Sequence, residues 1–163
     1  MDPILFPVTY KCNLDCKYCP MKNSRPEPDM DKCIELLKDT HEEWVYLTGG
    51  EPLLLDNIEE ICNRIKSLGK KVGITTNGTI KNDRIHLFAD RVGVSIDGDK
   101  DYHNEYRENS FDKAVEFLKN IVGKVETVLM FTLFPENEHC QEFIEDLANS
   151  LNVDHLQITK GIV

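Results

Sequence analysis

The chain has 163 residues, of which 40% are apolar and 29% charged. That composition excludes a disordered chain and is long enough for one core burying roughly 70% of its unfolded surface. With 19 Lys and Arg against 29 Asp and Glu, the net charge is −10. This excludes the cation clusters that nucleic acid or an anionic membrane surface requires, so neither is expected as a partner. Apolar runs such as residues 125–134 fall well short of the ~20 residues of a spanning helix. Met1-Asp2-Pro3 offers no basic n-region of a signal peptide, so a cytoplasmic location is expected.

Strand and helix signals alternate along the chain. Residues 4–9 (ILFPVT) predict a first strand, placed at a sheet edge or bulge because Pro7 has no N–H for a ladder. After a cysteine-rich loop, Asp29 predicts an N-cap, with Met30, Ile34 and Leu37 on one helical face. Residues 44–48 (WVYLT) predict the second strand. Asp56 and Glu59 have capping-box spacing, before a helix with Ile58, Ile61, Ile65 and Leu68 on its face and Gly69 at its end. Residues 72–76 predict the third strand, 80–89 a short helix, and 91–96 the fourth strand. Ser110 predicts the cap of a helix that buries Phe111, Ala114, Val115, Leu118 and Ile121. A fifth strand is expected over 125–134, a helix capped by Asn137 runs to Leu147, and a sixth strand covers 153–158. Six strands alternating with five helices predict a parallel α/β sheet in one domain.

In such sheets the functional loops follow the carboxyl ends of the strands. The distinctive motifs fall there: a cysteine cluster after the first strand, Gly49-Gly50-Glu51-Pro52 after the second, Asn77-Gly78 after the third and Ser95 to Gly98 after the fourth. Cys12, Cys16 and Cys19 put three thiolates on one loop, one fewer than a closed zinc site uses. Soft sulfur donors with one metal position left open suit a 4Fe–4S cluster; zinc or redox thiols remain the alternatives on spacing alone. Cys33, Cys62 and Cys140 are dispersed in helical patterns and read as idle thiols. Taken singly, each other feature has a plainer reading. Residues 49–52 suit a strand-to-helix turn, Asn77-Gly78 a turn, Tyr18 a packing ring, Arg107 a surface charge and Ser95 a strand end.

Cys-x3-Cys-x2-Cys with Tyr18 before the last cysteine, followed by Gly-Gly-Glu-Pro after the next strand, resembles the radical S-adenosylmethionine (radical SAM) enzymes. Residues 94–98 (VSIDG) and 103–107 (HNEYR) are similar to the branch with peptide- and protein-modifying members. The resemblance implies a partial parallel (βα)6 barrel, an incomplete TIM-like barrel, over residues 1–163 with the cluster loop at 10–28. It implies a 4Fe–4S cluster on Cys12, Cys16 and Cys19 and S-adenosylmethionine (SAM) as the second cofactor. Tyr18 would lie near the adenine; Gly49, Gly50, Glu51 and Pro52 would bind the methionyl amine. Ser95 and Arg107 would meet the ribose or methionyl carboxylate, with Thr76, Asn77 and Asp97 as further contacts. The implied activity is reductive SAM cleavage to methionine and a 5′-deoxyadenosyl radical that takes hydrogen from a substrate, with electrons from a flavodoxin- or ferredoxin-type donor. A chain this short is expected to leave the barrel's open side and bottom uncovered. A protein or peptide substrate, a partner subunit or a second copy would then complete it. A glycyl-radical-enzyme activase is the alternative within the family; a non-catalytic zinc or iron–sulfur module is the alternative outside it.

Overall fold

Short β-branched runs separated by amphipathic helices return each strand to the same side of the sheet, so consecutive strands pair in parallel. The computed structural model describes residues 2–19 and 25–161; residues 20–24 of the expected cluster loop lie outside them. Strands β1 (Ile4–Thr9), β2 (Trp44–Gly49), β3 (Lys71–Thr76), β4 (Arg91–Ser95), β5 (Glu126–Leu133) and β6 (His155–Lys160) form one parallel sheet in chain order. Helices α1 (Met30–Leu37), α2 (Ile58–Lys66), α3 (Ile85–Phe88), α4 (Lys100–Tyr106), α5 (Phe111–Ile121) and α6 (Gln141–Leu151) fill the connections. The result is an open, partial (βα)6 barrel. Pro7 lies in the edge strand β1, whose register with β2 shifts between Pro7 and Thr9.

Strand periodicity divides the sheet into two faces. Val45, Leu47, Val72, Ile74, Val92, Val94, Leu129 and Phe131 are buried with Ile61, Ile65, Leu118 and Ile144 of the helices. The alternate positions, including Tyr46, Thr48, Thr75, Ser95 and Met130, stay partly accessible on the other face. Tyr46 lies across Gly73 so closely that a Cβ there would meet its ring at 2.6 Å.

Several local expectations are corrected. A sixth helix, α4, follows β4; its Asp99 cap accepts the Tyr102 N–H at 2.9 Å. Asn57, without a side-chain bond, occupies the N-cap of α2, so Asp56 and Glu59 form no box. The helix expected over 80–89 contracts to α3. Ser110 caps by position only, because its hydroxyl donates to the Arg107 carbonyl. Asn137 sits in a 3-10 turn (Pro135–Cys140) rather than capping a helix, and its buried amide faces inward. β6 begins two residues later than expected.

Candidate active site

β1 and β2 lie side by side, and the loops leaving them share backbone. The Gly50 N–H donates to Thr9 O at 2.7 Å and the Glu51 N–H to Lys11 O at 2.9 Å. A Cβ on Gly49 (φ +118°) would stand 2.1 Å from Thr9 O, and one on Gly50 2.0 Å from Lys11 O. The glycines are therefore required first by the approach of the cysteine loop, where ligand proximity had been the expected reason. An ammonium ligand has donors only, so at this turn it would have to meet carbonyl oxygens. Glu27 ties the far end of the cysteine loop back, accepting the Thr9 hydroxyl at 2.6 Å and the Tyr10 N–H at 3.1 Å.

Within that loop, Cys12 is exposed, Cys16 buried and Cys19 intermediate. Cys12 Sγ accepts the Leu14 N–H at 3.5 Å, and the Cys19 N–H closes a turn on Cys16 O at 3.1 Å. Burial pushes both the Cys12 and Cys16 thiols up, while Arg107 pulls Cys16 back. A metal bound here would have to displace protons from these thiols.

Glu51 is 1% exposed, and its carboxylate joins its own turn to the loop after β3. It accepts the Leu53 N–H at 3.0 Å, the Thr76 hydroxyl at 2.8 Å and the Asn77 N–H at 2.7 Å. Burial pushes its carboxyl up, against those hydrogen bonds. The Asn77 amide donates to Asn13 Oδ1 at 3.0 Å and reaches toward Cys12 Sγ at 4.0 Å. Asn13 in turn donates to Thr79 Oγ1 at 2.8 Å.

Asp97, fully buried, organises the opposite wall. Its carboxylate accepts from the Tyr18 hydroxyl, from Arg107 Nε and, at 2.8 Å, from the Thr132 N–H. Burial drives the Tyr18 phenol far up, so it is a hydroxyl donor at any working pH. The Arg107 guanidinium lies 5.4 Å from the Tyr18 ring centroid, and Phe134 packs on the same ring at 5.0 Å. Behind this pair, the Asp97 N–H donates to His103 Nδ1 at 3.2 Å, leaving His103 Nε2–H to donate to Ser110 Oγ at 2.9 Å. The Ser110 hydroxyl then donates to Arg107 O at 2.6 Å. Asn137 joins by donating to Asp97 O at 3.1 Å.

One cavity of about 480 Å³ is bordered by all three cysteines with Tyr18, Gly49, Gly50, Glu51, Thr76, Asn77, Ser95 and Arg107, a size suited to a small-molecule ligand. Pro52 and Asp97, also expected at the site, are buried outside this lining. Tyr10, Asn13, Thr48, Thr75 and Glu108 border it without having been singled out. Asn13 carried a signal of sorts, lying between two cysteines; the others had none. Three thiols on one loop, opening onto a cavity with an Arg fork on its wall, suit a cluster with one open iron beside an amino-acid ligand.

An open parallel sheet with this cysteine loop and glycine turn at its carboxyl end defines a radical SAM core. Residues 6–147 match the model of the Radical SAM superfamily, and the chain belongs to that family. Among curated relatives it is 36% identical over 98 residues to the 7-carboxy-7-deazaguanine synthase of Thermoplasma acidophilum, covering 58% of this chain and 46% of that one. It is 33% identical over 140 residues to a probable GTP 3′,8-cyclase of Methanothermobacter marburgensis, covering 78% and 44%. The fold of Streptococcus suis SuiB bound to S-adenosylmethionine superposes with a TM-score of 0.82 at 16% identity, over 99% of this chain and 41% of SuiB; SuiB with its precursor peptide SuiA superposes equally well, at 0.81. The chain thus spans less than half the length of each. Among the described residues no helix is long and apolar enough to cross a membrane.

Proposed function

We propose that residues 1–163 form the core of a cytoplasmic enzyme that cleaves SAM reductively and uses the resulting radical on a bound substrate. The observation carrying this reading is that Cys12, Cys16 and Cys19 border the same cavity as the Gly49–Gly50 turn and Arg107. When bound, a 4Fe–4S cluster and SAM, given one electron from a flavodoxin- or ferredoxin-type donor, supply methionine and a 5′-deoxyadenosyl radical for hydrogen abstraction. The three cysteines would hold the cluster, and carbonyls of the 49–52 turn would accept from the methionyl amine. Arg107, already aimed by Asp97, would present its remaining nitrogens to the carboxylate or ribose, with Ser95 beside it. Tyr18 would flank the adenine through its ring, since its hydroxyl is committed to Asp97. Thr76 and Asn77, held by Glu51, would keep the third loop in place.

For the substrate we favour a peptide or protein segment. The cations on the accessible sheet face are paired: Arg91 to Glu126 at 2.7 Å and Lys71 to Glu43 at 2.7 Å. This face therefore suits a neutral or basic chain better than an anionic nucleotide. The precursor peptide carried by SuiB supports the same choice by analogy of fold. A partner subunit or second copy would cover the open side, and a glycyl-radical-enzyme activase is the alternative reading within the family.

The test is 5′-deoxyadenosine formation by anaerobically reconstituted protein given SAM and a strong reductant, beside metal and sulfide analysis. About four iron and four sulfide per chain, with product that vanishes in Cys16→Ala, is the expected result. About one zinc without sulfide would instead establish the non-catalytic module.

A further inference from the structure

The backbone departs furthest from residue preference in the turn after α4. Glu108 and Asn109 both hold left-handed backbone, at φ 52° and 54°, a region that residues bearing a Cβ enter at a cost and glycine does not. Strain of this kind persists where surroundings over-determine it, and it gathers at functional sites. The Asn109 N–H is held by Asn104 O at 3.1 Å. Glu108 reaches much further, its carboxylate accepting the Asp15 N–H at 2.7 Å. Asp15 lies inside the Cys12–Cys16 span. Next to it, the Lys17 N–H donates to Tyr106 O at 3.0 Å, Lys17 Nζ pairs with Glu105 at 2.6 Å, and Arg107 stands over the Tyr18 ring. Residues 105–108 therefore grip the cysteine loop at three points, Asp15, Lys17 and Tyr18, and Glu108 does so from the wall of the cavity.

We infer that Glu108 is a positioning residue for the metal centre: aimed by its left-handed backbone, it anchors the Asp15 amide and sets the separation of Cys12 and Cys16 before a cluster is built. This rests on the reading of the three cysteines as cluster ligands. The physical reason is preorganisation. Three ligands on one loop must be ordered together, and a bond made from outside the loop lowers the entropy that cluster binding has to overcome.

The test uses the full chain, reconstituted anaerobically, with the rate of cluster loss to a chelator followed by its visible absorbance. The thermal midpoint of the metal-free protein is measured in parallel. Glu108→Gly removes the carboxylate and relieves the left-handed backbone. The expected result is an unchanged or higher metal-free midpoint with cluster loss about tenfold faster. Glu108→Gln keeps an oxygen for the Asp15 N–H and is expected to retain most of the cluster lifetime. A cluster that persists equally long in Glu108→Gly and the unsubstituted chain overturns the inference. So does a midpoint that falls in step with the lifetime, which would make Glu108 a folding residue. If the unsubstituted chain takes up no more iron than Cys16→Ala, the cysteine reading itself fails, and the inference with it.

Discussion

Asp97 and Arg107 form a pair in which burial decides the consequences of substitution. The Asp97 side chain is fully buried and that of Arg107 12% exposed, so removing the carboxylate strands a charge away from water. Asp97→Ala is expected to destabilise the fold by about 3–5 kcal/mol, read as a lowered denaturant midpoint. Arg107→Lys keeps the charge but loses the planar fork, so its expected effect falls on the ligand. SAM binding to cluster-loaded protein, measured by equilibrium dialysis, should weaken by about 10- to 100-fold, the worth of one or two charge-assisted hydrogen bonds. Gly50 presents a steric constraint of another kind. A Cβ 2.0 Å from the Lys11 carbonyl cannot be accommodated without parting the β1 and β2 loops. Gly50→Ala should therefore cost about 2–4 kcal/mol in thermal unfolding. Gly69→Ala, where φ is +79° but no atom lies within 4 Å, should cost only about 1–2 kcal/mol.

Helix α4 shows how a short, polar element acquires a structural role. Its His103 has no exposure and links Asp97 to Ser110 and the Arg107 carbonyl. Burial, with Arg107 nearby, lowers its pKa to about 4 from the ordinary 6.5. The unfolded chain takes up a proton at this position below pH 6.5, whereas the folded chain resists until about pH 4. Stability from the neutral imidazole is thus fully present above pH 6.5 and lost as pH falls toward 4, by about 3 kcal/mol at most. Urea unfolding at pH 7.5 and 4.5 should show that loss. His103→Asn should start less stable at pH 7.5 and lose less on acidification. The helix itself went unrecognised in sequence because residues 100–106 carry little apolar periodicity. Its one local sign is Asp99, which caps it by accepting the Tyr102 N–H.

Across the whole molecule, the amino ends of the strands prove less bare than chain length alone implied. Arg91 lies 4.4 Å from the Trp44 ring, donates to the Tyr46 hydroxyl at 2.7 Å and pairs with Glu126, which also meets His155 at 2.5 Å. Arg91 holds the Glu126 carboxyl below its usual range. This layer occupies the bottom of the accessible sheet face with the chain's own side chains. The loops at the other end converge on one cavity, so ligand binding should be felt by the entire fold. SAM at 100 times its Kd should raise the stability of cluster-loaded protein by about 2.7 kcal/mol, seen as an increase in thermal midpoint. Cys16→Ala protein should show no such increase.

Residues 4–9, 44–48 and 72–76 were legible as strands, each within one residue of the observed bounds, because alternation and β-branching act within a few residues; the Asp29 cap was legible for the same local reason. The Cys12–Cys16–Cys19 loop and the Gly49–Gly50 turn were legible for a related reason: their chemistry lies in adjacent residues, and strand order places both at one end of the sheet. The Tyr18–Asp97 contact spans 79 positions, Asp15–Glu108 spans 93 and Thr132–Asp97 spans 35. No local pattern marks such pairs. They form because parallel strands bring distant loops together, and a buried carboxylate must then find donors wherever the fold has put them. The sequence by itself determined the order of elements, the class of sheet and the residue types at its carboxyl end. Only the tertiary structure decided that Asp97 is a hidden anchor, that Gly50 serves a neighbouring backbone and that Glu108 grips the cysteine loop.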